Sequence, residues 1–169
     1  MGNAPLPMDR VIIETWISAP PPACFDAARD LDVHLQSFAH TNERAVAGRT
    51  SGLIGMGEEV TWRGRHFGVT QHFTSRITAF DPPGYFQDTM RRGAFRSFVH
   101  DHFFTVQDGG TNMKDDLLFA APWGLLGRLA ETLVLRRYLQ RLLADRAVVI
   151  KRAAESAVAP SSPARKFPL

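Results

Sequence analysis

The feature that most constrains the fold is a change in the period of the hydrophobic pattern. From Glu43 to Ala121 apolar residues alternate with polar ones between short turn signals, which is typical of closely spaced antiparallel strands. From Trp123 to about Glu155 the spacing becomes helical, with no proline inside, and Pro122 separates the two parts. A single long helix can bury its apolar side only against the sheet. The sequence therefore predicts an α+β fold in which a strongly curved sheet surrounds one C-terminal helix.

Seven strands are predicted, and six of them follow one another directly. They are Val11–Ser18, Arg44–Gly48, Glu59–Gly64, Phe67–Phe80, Tyr85–Arg91, Ala94–Val106 and Thr111–Ala121. After the first strand, two short helices are predicted over about Pro21–Ala28 and over Leu31–Ser37, and Asp30 is expected to cap the second. We expect these helices to close one end of the space between sheet and long helix, which leaves an interior cavity.

Length and composition indicate the class of protein. The 169 residues suit one domain, expected over residues 10–155, and residues 156–169 are expected to be a disordered tail. Cys24 is the single cysteine, which favours a reducing compartment, and we recognise no signal peptide or membrane span, so we expect a cytoplasmic protein. The pattern indicates no particular oligomeric state.

The charge of the chain does not require an anionic partner. The net charge is +3, and the long helix carries an excess of basic residues, Arg146 among them, that are expected to form a solvated face. We expect no nucleic-acid partner, because no base-stacking aromatic motif accompanies these residues. Contact with a membrane is expected to be transient at most.

The sharpest chemical motif is His100-x-His102 on the sixth predicted strand. Residues two apart on a strand share one face, and Phe98, Phe104 and Val106 lie on the same face as the two histidines, which favours the interior. The motif therefore predicts two imidazoles on the concave side of the sheet.

The turn that follows this strand sets the partner of His102. A two-residue turn at Asp108-Gly109 places His102 opposite Asp115, whereas a three-residue loop places Asp116 there. Asp115 is favoured because it shares a face with the apolar Leu117. We therefore predict a buried His102–Asp115 pair.

Three interpretations of this cluster, with Asp88 on the preceding strand, remain open. The residues could form a hydrogen-bonded network that serves the structure, because unpaired polar burial is costly. They could instead be the polar end of a ligand pocket. In the third interpretation an imidazole beside a carboxylate acts as a general base, or two histidines and a carboxylate bind a metal.

Several segments, together with the order of elements, resemble the START-like superfamily, also called SRPBCC or helix-grip proteins. The matching segments are Val60-Thr61-Trp62-Arg63 with Arg65-His66-Phe67-Gly68, Phe86-x-Asp88-x-Met90-x-x-Gly93-x-Phe95, His100-x-His102-x-Phe104, and Asp115 followed by Phe119-x-x-Pro122-x-Gly124. They are similar to a bacterial subgroup known as SRPBCC family proteins or as cell division inhibitor-like proteins. The resemblance covers roughly Arg10 to Lys151.

The resemblance implies a seven-stranded helix-grip fold that works without a cofactor or a resident metal. The superfamily includes lipid carriers, plant hormone binders, polyketide aromatase/cyclases and co-chaperones, so the fold alone does not select a function.

We expect the protein to bind a small hydrophobic molecule, of lipid, polyketide or aromatic type, between sheet and long helix. The residues expected to form the pocket are Trp62, Phe67, Phe73, Phe86, Asp88, Phe98, His100, His102, Phe104, Asp115, Phe119, Leu129 and Leu133. One alternative is an enzyme for cyclisation, dehydration or hydrolysis, with His100, His102 and Asp115 as catalytic candidates. The other is an interaction module that takes no ligand.

Overall fold

The computed structural model describes residues 8–121 and 128–159, with the side chains of residues 128–132 excepted. Its elements in chain order are β1 (Asp9–Ile17), α1 (Pro21–Arg29), α2 (Leu31–Ser37), a single 3-10 turn (Ala39–Thr41), β2 (Arg44–Gly48), β3 (Glu59–His66), β4 (Val69–Asp81), β5 (Tyr85–Arg92), β6 (Ser97–Gln107), β7 (Gly110–Ala120) and α3 (Arg128–Val158). The expected fold class is therefore confirmed. None of the described helices has the length and apolarity to span a membrane.

The seven strands form one antiparallel sheet in the order β1-β7-β6-β5-β4-β3-β2. Strands β2 to β7 pair with their neighbours in sequence, and β1, the first strand, pairs with β7, the last. Between β6 and β7, Asp108 and Gly109 both take the left-handed conformation that a two-residue hairpin turn requires. This turn pairs Gln107 with Gly110, and it sets the predicted register of His102 with Asp115.

The boundaries of several elements differ from the prediction, most clearly those of β3, β4, β6 and α3. Strand β3 continues to His66 and the chain reverses at Phe67-Gly68, because both residues take a left-handed φ. Phe67 therefore lies in a turn instead of on β4. Strand β6 begins at Ser97 and not at Ala94, since a four-residue connection precedes it. Helix α3 continues to Val158, three residues into the predicted tail.

The short helices begin and end as the sequence indicates. Helix α1 has proline at its first positions, where a missing N–H removes no helical hydrogen bond. The Asp30 carboxylate accepts hydrogen bonds from the backbone N–H groups of Asp32 (2.8 Å) and Val33 (3.4 Å) and so caps α2. The peptide N–H of Leu31 donates to Gly52 O, and this contact ties α2 to the loop before β3.

Helix α3 packs against β1, α1 and α2. Its buried side consists of Leu139, Leu142, Leu143, Arg146, Ala147, Ile150 and Ala154. The predicted start of the helix at Trp123 and the predicted tail from residue 160 onward lie outside the described residues. The apolar side of α3 thus faces the concave surface of the sheet, and the space between them contains the candidate site.

Candidate functional site

A cavity of about 560 Å³ lies between the concave face of the sheet, helix α2 and helix α3. The strands of the sheet and the turns between them contribute aromatic side chains to the cavity wall, and α3 contributes leucines; these aromatic residues are Trp62, Phe67, Phe73, Phe86, Phe95 and Phe98. A volume of this size falls within the range of about 300–1,000 Å³ that small-molecule sites occupy. The wall therefore offers a ligand a large apolar surface.

The two ends of the cavity differ in exposure. Ala28 and Ile54 are buried and line the end where Arg146 of α3 contacts α1. Val134 also lines the cavity and lies twelve residues before Arg146, or about 18 Å along the helix axis. Val134 and Phe67 are both more than half exposed, so the cavity approaches the surface at this second end.

A polar cluster lies on strands β5, β6 and β7, where the register places Asp88 opposite His100, and His102 opposite Asp115. The fully buried His102 ring joins the two carboxylates. Its Nδ1 lies 2.6 Å from Asp115 Oδ1, and its Nε2 lies 3.1 Å from Asp88 Oδ2. The ring stacks on Phe86, with 4.1 Å between ring centroids, which fixes its plane.

The two carboxylates favour the imidazolium form of His102. Burial lowers the pKa of His102, but the hydrogen bonds with Asp115 and Asp88 outweigh burial, and the net pKa is raised above its ordinary value. Burial likewise raises the pKa of Asp115, but contacts with His100 and His102 outweigh it and hold the pKa well below its ordinary value. A charged His102 donates from Nδ1 to Asp115 and from Nε2 to Asp88.

His100 lies beside this pair, and its pKa is shifted in the direction opposite to that of His102. Burial, and then the charge of His102, lower the pKa of His100, which favours the neutral ring. Its Nε2 lies 3.2 Å from Asp115 Oδ1 without the geometry of a hydrogen bond, and Nε2 has no hydrogen-bond partner among the residues that the structure describes. The cluster thus combines one imidazole whose surroundings favour the charged form with one whose surroundings favour the neutral form.

Arg146 completes the cluster, and the sequence analysis was wrong to place it on a solvated face. It is 7% exposed; its Nη1 lies 3.3 Å from Asp115 Oδ1, and its Nη2 donates to Ala28 O at 2.7 Å. Helical periodicity provides the missed signal, because position 146 falls in line with Leu139, Leu142 and Leu143. The Arg146 and His102 charges balance those of Asp88 and Asp115.

A second polar group, from α2, β3, α3 and the segment before β2, lies on the cavity wall and was not predicted. Glu43 Oε1 accepts a hydrogen bond from His34 Nε2 at 2.7 Å, and His66 Nδ1 lies 2.6 Å from the Tyr138 hydroxyl oxygen. The His34 ring stacks on Trp62, with 4.1 Å between ring centroids. Burial raises the pKa of Glu43, but the hydrogen bonds with His34 and His66 outweigh it and lower the pKa to about 2. Glu43 is therefore ionised at neutral pH.

The predicted pocket residues fall into three groups. Those that line the cavity are Trp62, Phe67, Phe73, Phe86, Asp88, Phe98 and His100. Those that are buried and do not line it are His102, Phe104, Asp115 and Phe119. Leu133 is 46% exposed and does not line the cavity, because it lies two residues, and so about 200° of helix rotation, from the lining Leu135. The Leu129 side chain lies outside the described residues.

Three side chains of the cluster offer ligand atoms for a cation. Asp88, His100 and His102 each offer one ligand atom, and these atoms lie within 4.8 Å of one another. Two histidines and one carboxylate are a known set of metal ligands. A dication would add charge where the His102 imidazolium and Arg146 already balance the two carboxylates, so the arrangement as it stands favours hydrogen bonding over metal binding.

Comparison with known proteins shows similarity in structure. No family model matches the sequence, and no curated protein is similar to it. Protein TTHA0849 of Thermus thermophilus has a similar structure, with a TM-score of 0.72 and 18% identity over 89% of this chain and 100% of that one. The Zhui aromatase/cyclase of Streptomyces sp. R1128 gives a TM-score of 0.72 and 16% identity, covering 92% of this chain and 98% of that one.

A plant protein shares the same architecture. Ginseng major latex-like protein 151 of Panax ginseng gives a TM-score of 0.59 and 12% identity, covering 90% of this chain and 99% of that one. These likenesses extend over nearly the whole of each chain and agree with the sheet order, the two short helices and the long C-terminal helix. The protein therefore has the helix-grip fold of the START-like, or SRPBCC, proteins.

Proposed function

We propose that the protein binds a small, largely apolar molecule in the cavity between the sheet and helix α3. The observation that carries this proposal is the cavity of about 560 Å³, whose wall is rich in aromatic side chains. Burial of apolar ligand surface would provide the affinity, at about 25 cal/mol per Å². Asp88 and His100 would orient one polar group of the ligand, since both lie on the wall.

Two similar structures support a ligand-binding role. One carries the name of an aromatase/cyclase and the other that of a major latex-like protein, on the same fold as this chain. The cavity also weighs against the interaction module without a ligand, since that alternative expects an interior filled by side chains.

A neutral fluorescent probe, N-phenyl-1-naphthylamine, tests the proposal. We expect saturable binding to the wild-type protein, and loss of binding in Leu139→Trp, because Leu139 is buried and lines the cavity. Val148→Trp is the matched control, since Val148 is 47% exposed on the same helix. No binding by the wild type, or equal binding by Leu139→Trp, would refute the proposal. Native mass spectra of the purified protein, beside denatured ones, would identify a co-purified ligand.

A second candidate function is proton-transfer catalysis on a bound ligand. The observation that favours it is that Asp88 and His100 both line the cavity. The pKa of each is lowered, which favours a carboxylate and a neutral imidazole, and either of these can accept a proton. Base-promoted ring opening of 5-nitrobenzisoxazole provides a neutral aromatic test. A rate above that of buffer in the wild type, and lost in Asp88→Asn and His100→Ala, is expected of a catalyst. Equal rates in all three proteins would leave binding as the function.

A further inference from the structure

The charge that faces the cavity differs in sign from that of the whole chain. The chain carries a net charge of +3, which by itself permits an anionic partner. Three carboxylates, those of Asp30, Glu43 and Asp88, line the cavity, and two arginines, Arg29 and Arg146, line it as well. Which ligand charge the cavity accepts therefore depends on the protein groups that already contact these carboxylates and arginines.

Both lining arginines are already engaged by acceptors of the protein. Arg146 contacts the Asp115 carboxylate and donates to a backbone carbonyl. Arg29 donates to Asp26 Oδ1 from Nε (2.9 Å) and from Nη2 (2.8 Å), and to Ile54 O from Nη1 (3.1 Å). A ligand anion would have to compete with a carboxylate for either guanidinium.

The histidines on the wall give an anion little support. His34 donates to the ionised Glu43, and burial lowers the pKa of His34, which favours its neutral form. His66 contacts the Tyr138 hydroxyl through Nδ1, and its Nε2 lies 3.6 Å from Glu43 Oε2. His72 is exposed, and burial lowers the pKa of His100, which favours its neutral form. Glu43 contacts no arginine or lysine among the residues described, so its carboxylate adds negative charge to the buried wall.

Asp88 lines the cavity, and one of its carboxylate oxygens accepts no hydrogen bond from the residues described. Oδ2 accepts from His102, and no hydrogen bond to Oδ1 is found among the described residues. The side chain is 17% exposed, so a ligand can reach it. Because the charges of Asp88 and Asp115 are balanced by His102 and Arg146, this oxygen can accept a hydrogen bond without requiring a cation.

We infer that the ligand is a neutral aromatic molecule with a hydroxyl or N–H group that donates to Asp88 Oδ1, and that the cavity rejects carboxylic acids that are ionised at neutral pH. The aromatic class follows from the rings of Trp62, Phe73 and Phe98 on the wall. The inference rests on the proposed function, because it specifies the ligand of the same cavity.

Three molecules with one ring system test the inference. They are 2-naphthol, which donates a hydrogen bond, 2-methoxynaphthalene, which does not, and 2-naphthoate, which is an anion. By isothermal titration calorimetry at pH 7 we expect 2-naphthol to bind at least tenfold more tightly than either of the others, because a hydrogen bond to a carboxylate is worth about one power of ten or more in affinity.

The outcomes separate the inference from the proposed function. If 2-naphthoate binds as tightly as 2-naphthol, or if 2-methoxynaphthalene does, the inference is wrong, while binding of N-phenyl-1-naphthylamine still supports the proposed function. If none of the naphthalenes and no N-phenyl-1-naphthylamine binds, the proposed function fails and the inference fails with it.

A charge variant tests the role of Asp88. Asp88→Asn removes the negative charge and adds an N–H donor, so we expect the preference for 2-naphthol over 2-naphthoate to fall about tenfold. Asp145→Asn is the matched control, since it removes one negative charge from the exposed side of α3 and should leave the preference unchanged. An unchanged preference in Asp88→Asn would overturn the assignment. The three-ligand series on the wild-type protein tests the ligand class even if this variant does not fold.

Discussion

Replacement of Asp115 by asparagine should lower the free energy of unfolding by about 3 kcal/mol at neutral pH. The carboxylate is fully buried, and its Oδ1 lies 2.6 Å from His102 Nδ1 and 3.3 Å from Arg146 Nη1. Removal of one partner from a buried ion pair costs about 3–5 kcal/mol, because the remaining charge is left uncompensated. The lower end applies because asparagine keeps the shape, and because His102 retains Asp88 and Arg146 retains Ala28 O.

Urea unfolding followed by circular dichroism measures this difference. Asp145→Asn is the control, because Asp145 is exposed and a surface substitution changes stability by no more than about 0.5 kcal/mol. For a chain of this length, a loss of about 3 kcal/mol corresponds to a fall in Tm of about 6–12 °C. A loss under about 1 kcal/mol would refute the view that this carboxylate neutralises two buried cations.

The pH dependence gives the same prediction a second test. The pKa of Asp115 in the folded state lies well below its ordinary value of 3.8, so the carboxylate contributes stability that is fully present above 3.8 and is lost as pH falls towards the folded pKa. The gap between wild type and Asp115→Asn should therefore be constant above about pH 5 and narrow below pH 3.8. A gap that widens on acidification would contradict the assignment.

Three further predictions test other parts of the fold. Phe86→Ala should cost about 3–5 kcal/mol in urea unfolding, because the ring is 2% exposed and stacks on His102, whereas Phe67→Ala, at a residue 60% exposed, should cost under about 1 kcal/mol. Asp30→Ala should cost about 1 kcal/mol through loss of the α2 cap, and Asp30→Asn should retain most of it. Glu43→Gln should be less stable than wild type above about pH 5. The difference in unfolding free energy should disappear between pH 4.5 and about 2, because the pKa of Glu43 in the folded state is lowered from 4.5 to about 2. A difference that is independent of pH would count against an ionised Glu43.

Within the polar cluster, the His102–Asp115 pair could be predicted, because the turn between β6 and β7 determines it. Asp108-Gly109 specifies a two-residue turn, the turn specifies the β6–β7 register, and the register brings His102 to Asp115. The position of Asp88 could not be derived in this way. The four-residue connection between β5 and β6 has no comparable turn signal, and the prediction started β6 too early at Ala94.

The second polar group could not be predicted from the sequence. His34, Glu43, His66 and Tyr138 come from α2, the segment before β2, the end of β3 and α3, and no spacing along the chain connects them. Their proximity depends on how α2 and α3 pack on the sheet, which is a tertiary property. Arg146 differs from this group, because the net charge of a helix does not show on which side each residue lies, whereas the helical period places Arg146 on the buried side.

The order of strands has a consequence for the path of folding. All strand pairs from β2 to β7 join neighbours in sequence, whereas β1 must find β7 across most of the chain, and Thr111 Oγ1 donates to Ala19 O, 92 residues away. Closing so long a loop costs conformational entropy before the stabilising contacts between β1 and β7 can form. We therefore expect the six-stranded meander to form first and β1 to join late. Pulse-labelling hydrogen exchange during refolding should protect the amides of β6 before those of β1, so that helix α3 gains its contact with β1 in the last step of folding.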